Sequence, residues 1–184
     1  KGGNYVKSTN RYLHWYYRLR GDAAKANQYK NLVISQGETA VGADLQALRE
    51  IERGEVPINL LKARLEFDHG RPLEALALLR SVDVESLSPQ HLIDYHYRVG
   101  RANQELGRNS SAIRSFQSAR SIDRGDETTF EQVNATLQLA ILTEDNDRML
   151  STQMYRAVLD YDDYPWRHTT QQKAKAGLSR LDAV

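Results

Sequence analysis

Apolar residues in this chain recur at intervals of three and four and show no sustained alternation with polar ones. Val41, Leu45, Leu48 and Ile51 form one stripe, Ile113, Phe116, Ala119 and Ile122 a second, and Leu73, Leu76 and Leu79 a shorter third. Side chains so spaced share one face of a helix. Asn-Gly hairpin dipeptides are missing as well, so no strand is expected. Pro57, Pro72, Pro89 and Pro165 fall where helices would start, a position at which a missing N–H costs nothing. Ser88 reads as a cap ahead of Pro89, and Thr169 with Gln172 has capping-box spacing. The pattern predicts helices over about 5–20, 22–35, 40–53, 57–69, 72–82, 89–106, 109–122, 128–143, 147–160 and 168–182. Their short connections make a string of antiparallel hairpins.

The stretch "RVGRANQELGRNSSAIRSFQSA", residues 98–119, shows how one hairpin would close. Gly107 ends a helix in a left-handed conformation, and Asn109 or Ser110 caps the next. Gly100 and Ala112 then present small side chains where two helices meet, with Phe116 and Ala119 continuing the contact. Gly100 lies inside a helix rather than after a strand, which argues against a phosphate-binding loop. Ala63, Gly70, Ala75, Leu79 and Val82 repeat this grammar, and Gly70 precedes Gly107 by 37 residues.

This spacing of small residue, turn glycine, alanine, aromatic and alanine resembles the tetratricopeptide repeat family. The resemblance is clearest over 93–124 and 56–85 and degenerate elsewhere. Around Gly21 the turn and Ala26 are kept, but His14 stands where a small residue is usual. Near 143–148 the turn has become Asp145-Asn146, and the helix at 40–53 pairs cleanly with neither neighbour. The resemblance implies an all-α, right-handed superhelical solenoid forming a single domain over 1–184. It also implies a non-enzymatic module that binds a peptide or protein segment in a concave groove. In the clearest hairpin it places Tyr97, Arg101 and Gln104 on that groove, and in the preceding one Leu60, Arg64 and Phe67. Arg64 and Arg101 would grip a carboxylate, while Tyr97 and Phe67 supply apolar contact. The alternative expectation is a sensory or regulatory portion that packs on other domains of a larger protein.

Composition narrows the chemistry. The chain has 184 residues, 40% hydrophobic and 27% charged, with no apolar run long enough to span a membrane. It has no cysteine, which excludes disulfides, thiolate zinc sites and a cysteine nucleophile. It starts at Lys1, which reads as a processed protein or fragment; a signal or anchor removed upstream would place it in the cell envelope or periplasm. Charge is uneven: residues 1–34 carry seven Lys or Arg and one acid, Asp22, within an overall charge of +1. In that segment Lys7, Arg11, Trp15 and Arg18 make a candidate basic-aromatic patch for an acidic ligand; nucleic acid is not the expected partner.

The remaining chemical candidates have plainer explanations. His91 and His96 flank Asp94, but five-residue spacing puts them on different helix faces, unlike a zinc pair. "TEDNDR" and "DYDD" lack the alternating ligands, glycine and distal glutamate of a calcium loop. Ser110 and Ser111 follow no strand-to-helix elbow. Arg20-Gly21-Asp22 and Arg124-Gly125-Asp126 both fall at helix junctions, where a basic helix end, a turn glycine and a capping aspartate are each favoured separately. With no converging acid, base and nucleophile, the chain is expected to be neither an enzyme nor the holder of a cofactor.

Overall fold

The helix boundaries follow the punctuation of the chain. In a computed structural model that describes residues 3–123, 125 and 127–183, there are ten α-helices, a 3-10 turn at Val84–Ser86 and no strand among the described residues. The helices are α1 (Val6–Leu19), α2 (Ala23–Ser35), α3 (Gly42–Glu52), α4 (Ile58–Asp68) and α5 (Pro72–Leu79), then α6 (Pro89–Glu105), α7 (Asn109–Ser121), α8 (Phe130–Thr143), α9 (Arg148–Asp160) and α10 (Arg167–Asp182). Gly70 and Gly107 turn the chain at φ of 75° and 69°, a region where a side chain is strained. Pro72 and Pro89 open their helices, and Ser88 accepts a hydrogen bond from the His91 N–H at 3.3 Å.

Two caps differ from expectation. The helix α7 starts after Arg108 with no side-chain cap, so neither Asn109 nor Ser110 serves. The last helix begins at Arg167, ahead of Thr169, and no capping box forms. Tyr164 and Pro165 just upstream are buried, and Trp166 precedes the helix in a left-handed conformation at φ 65°.

The chain, expected as one domain over 1–184, divides into two compact units, residues 1–58 and 59–184. In the first, α3 lies against both α1 and α2, so the helix at 40–53 is the third member of a three-helix unit. In the second, each helix from α6 to α10 packs on the next, while α8 also touches α6 and α10. A continuous core runs through these helices, including Ile93, Phe116, Val133, Leu137, Tyr155 and Val158.

The hairpin of α6 and α7 closes as the small residues predict. A Cβ added to Gly100 would sit 2.6 Å from the Phe116 Cδ1, closer than real contacts allow. Ala112 and Ala119 are fully buried beside it. A second crossing of this kind, which the sequence pattern did not reveal, joins α9 and α10: a Cβ on Gly177 would meet the Tyr155 ring at 2.6 Å from Cε1.

Gly100→Leu should therefore lower stability by about 1–3 kcal/mol through overpacking. Arg108→Ala, at an exposed turn, should cost less than about 0.5 kcal/mol. Urea denaturation of the two variants provides the comparison, and equal midpoints would mean that α6 and α7 do not cross at Gly100.

Candidate functional site

The basic and aromatic residues of α1 are mostly occupied inside their own unit. Lys7 is 4% exposed, and its ammonium donates to the Val33 and Ile34 carbonyls at 2.8 and 3.2 Å, in the last turn of α2. A cation there satisfies orphan carbonyls and complements the helix dipole. Arg11 is also 4% exposed; its Nη1 donates to Glu50 Oε2 at 2.7 Å, and its guanidinium lies 4.5 Å from the Trp15 ring centroid. Arg18 pairs with Glu55 at 2.6 Å. Asp44, at the start of α3, accepts from the backbone N–H groups of Tyr5 and Ser8 and so caps α1 from a neighbouring helix.

This corrects the expectation of an exposed patch at Lys7, Arg11, Trp15 and Arg18. Lys7, Arg11 and Trp15 are buried, and all three cations have partners. Val33, Ala47 and Ile51 form a small apolar cluster in the interior of this unit. Long basic side chains pack their stems in this space and deliver their charges to acids or carbonyls.

A small pocket of about 240 Å³ opens over His14, Arg18, Asn27 and Glu55. The His14 Nδ1 donates to the Ala26 carbonyl at 2.9 Å, which leaves Nε2 facing Glu55 at 3.8 Å. Burial pulls the His14 pKa below the ordinary histidine value, against the raising effects of Ala26 and Glu55. Glu55 is held by Arg18 and Lys30, so the charges in this pocket are matched internally.

The face expected to form a concave groove assembles only in part. Leu60 is fully buried and Tyr97 is 6% exposed, so neither presents apolar surface to a ligand. Tyr97 is drawn inward by the Phe116 ring, 6.2 Å away between centroids. Phe67, Tyr97 and Arg101 do come together: the Arg101 guanidinium lies 5.5 Å from the Phe67 centroid and donates to the Tyr97 hydroxyl at 3.3 Å. Gln104 donates to Gln138 at 2.9 Å, and Arg64 is half-buried with interactions of its own.

An open site in this unit lies on another pair of helices. Arg120 at the end of α7 and Arg148, Met149, Thr152, Gln153, Arg156, Ala157 and Asp160 of α9 line a groove of about 630 Å³. Helical period explains the α9 contribution. Ser151, Met154, Tyr155 and Val158 face the core, so Met149, Gln153, Arg156 and Asp160 share the opposite face. Met149 is 85% exposed. Among the described residues, no carboxylate pairs with Arg120, Arg148 or Arg156. The α9 stripe is visible in "RMLSTQMYRAVLD", but nothing in the sequence joins it to Arg120.

Other candidates settle into structural roles. Asp94 pairs with Arg98 at 2.9 Å, and no group of three metal-ligating side chains occurs among the described residues. Asp147 caps α9 through the Leu150 N–H at 2.9 Å, and Asp162 pairs with Arg167. Gly21 makes a turn and Asp22 caps α2, as expected for that Arg-Gly-Asp; Arg124 and Asp126 of the other lie outside the described residues.

Two outcomes follow for the first unit. Glu50→Ala leaves the Arg11 charge buried without its partner and should cost about 3–5 kcal/mol by chemical denaturation; a loss under about 1 kcal/mol would show the pair to be solvated. His14 has a folded-state pKa below its unfolded value, so the unfolded chain takes up the proton more readily. Its contribution is complete above about pH 6.5 and is lost as pH falls from there through the lower folded-state pKa. His14→Gln keeps a donor for the Ala26 carbonyl and should flatten the loss of stability between about pH 7 and pH 5. An unchanged slope would exclude His14 as its source.

No family model, curated protein sequence or solved structure matches this chain, so the functional reading stands on the chemistry of the groove.

Proposed function

We propose that this chain is a non-enzymatic interaction module, a tetratricopeptide-like stack of helical hairpins that binds a segment of another protein. The observation that carries this reading is the α7–α9 groove, where three arginines without carboxylate partners among the described residues surround an exposed methionine. Arginine and methionine are enriched at protein interfaces, where a planar guanidinium and a flexible thioether adapt to a partner surface. The packing of α8 on both α6 and α10, with α7 and α9 between them in sequence, supports a stack of hairpins. In such a stack neighbouring hairpins share extended faces, and binding comes from shape and charge rather than reaction chemistry.

The reading moves the ligand from the first helices of the hairpins to the second. Leu60, Tyr97 and Gln104 are already engaged within the fold, whereas the α9 stripe faces solvent. Thr152 and Gln153 supply hydrogen-bonding groups beside the arginines.

Selection from a random peptide display library on the immobilised protein tests this. Enriched peptides are expected to bind the wild type and to lose at least about fivefold in affinity when Arg148 and Arg156 are both replaced by alanine, the scale of central arginine contacts. The melting temperature should stay nearly constant, because neither side chain is buried. Failure to enrich any peptide, or equal binding by the double variant, would remove the reading.

A further inference from the structure

We infer that the α7–α9 groove takes an acidic protein segment whose Asp or Glu carboxylates are strung along it, an inference that rests on the interaction-module reading above. Among the described residues, the charges lining the groove are unbalanced, with Arg120, Arg148 and Arg156 against the carboxylate of Asp160. Asp147, the acid next to Arg148 in the chain, directs its carboxylate to the backbone N–H of Leu150. It is therefore engaged in capping rather than offered to Arg148.

The spacing of the arginines suits a ligand with several separate carboxylates. Arg148 and Arg156 are eight residues apart on one helix, a separation of about 12 Å along its axis. Separate carboxylates two turns apart on a helical ligand, or about four residues apart on an extended one, match that distance. Each arginine can then make a charge-assisted bond to its own carboxylate.

The rest of the lining gives the ligand a direction. Met149 lies beside Arg148 and offers apolar area at 85% exposure, which suits an apolar side chain next to an acidic one. Asp160 ends the stripe, where it repels a carboxylate and accepts a donor. The acidic part of the segment thus lies toward Arg148. Among the described residues no aromatic side chain lines the groove, so nucleobases would find no stacking platform there, and a nucleic-acid strand fits less well than an acidic peptide.

Fluorescence anisotropy tests this with three labelled probes: a glutamate- and leucine-containing peptide, its glutamine-for-glutamate counterpart and an oligothymidylate strand. The glutamate peptide should bind at low salt and weaken as salt rises. The glutamine peptide should bind at least about tenfold more weakly, and the Arg148→Glu/Arg156→Glu variant should lose at least about tenfold for the glutamate peptide. Arg108→Glu, at the far end of α7 from Arg120, should stay within about twofold of the wild type. The inference is overturned if the glutamate peptide does not bind, if both peptides bind alike, if Arg108→Glu loses as much as the groove variant, or if oligothymidylate binds more tightly. Display-selected peptides that need the groove but carry no acids would overturn it while leaving the interaction-module reading intact. A library that yields no groove-dependent peptide removes both.

Discussion

Where α6 crosses α7, the Phe116 ring fills the space that any side chain at position 100 would need. Much of the second unit depends on that close approach. It buries Ala112 and Ala119, and it draws Tyr97 inward onto the same ring. The crossing of α9 and α10 repeats the device, with Gly177 against the Tyr155 ring. Once Tyr155 and its neighbours Met154 and Val158 are committed to the core, the helical period leaves Met149, Arg156 and Asp160 facing outward. The groove face is thus a consequence of how the core packs on the other side of α9.

Burying Tyr155 carries a polar obligation. Its hydroxyl donates to Glu144, and Arg180 also bonds to Glu144, at 2.6 Å. Burial, followed by the Glu144 hydrogen bond and charge, raises the Tyr155 pKa well above the ordinary tyrosine value. The hydroxyl stays protonated as a donor, and this arrangement ties the ends of α8 and α10 to the middle of α9 without leaving a buried polar group unmatched.

The first unit solves a different problem. Its core cluster is small, and much of its interior is polar, including Lys7, Arg11, His14, Asp44 and Glu50. Buried ion pairs add little net stability against an apolar alternative, but breaking one is costly. Asp44 fixes the start of α1, Lys7 the end of α2, and Glu50 the middle of α1. Arginine consequently has two fates in this protein. Arg11 and Arg18 are neutralised by acids of their own unit, whereas Arg120, Arg148 and Arg156 face an open groove.

The sequence by itself determined the helices, the turns and one helix crossing. Periodicity, turn glycines and prolines act within a few residues, and Gly100, Gly107, Ala112 and Phe116 lie close enough in the chain for one hairpin to be read directly. What each charge or aromatic would meet was beyond that range. Lys7, Arg11, Trp15 and Arg18 look like an exposed patch because Glu50, which neutralises Arg11, lies 39 residues away in the chain. Leu60 and Tyr97 have helical positions compatible with an open face, but their neighbours in space bury them. Only the tertiary structure brought Arg120 beside the α9 stripe, because burial and charge pairing depend on distance in space, whereas helical periodicity records only distance along the chain.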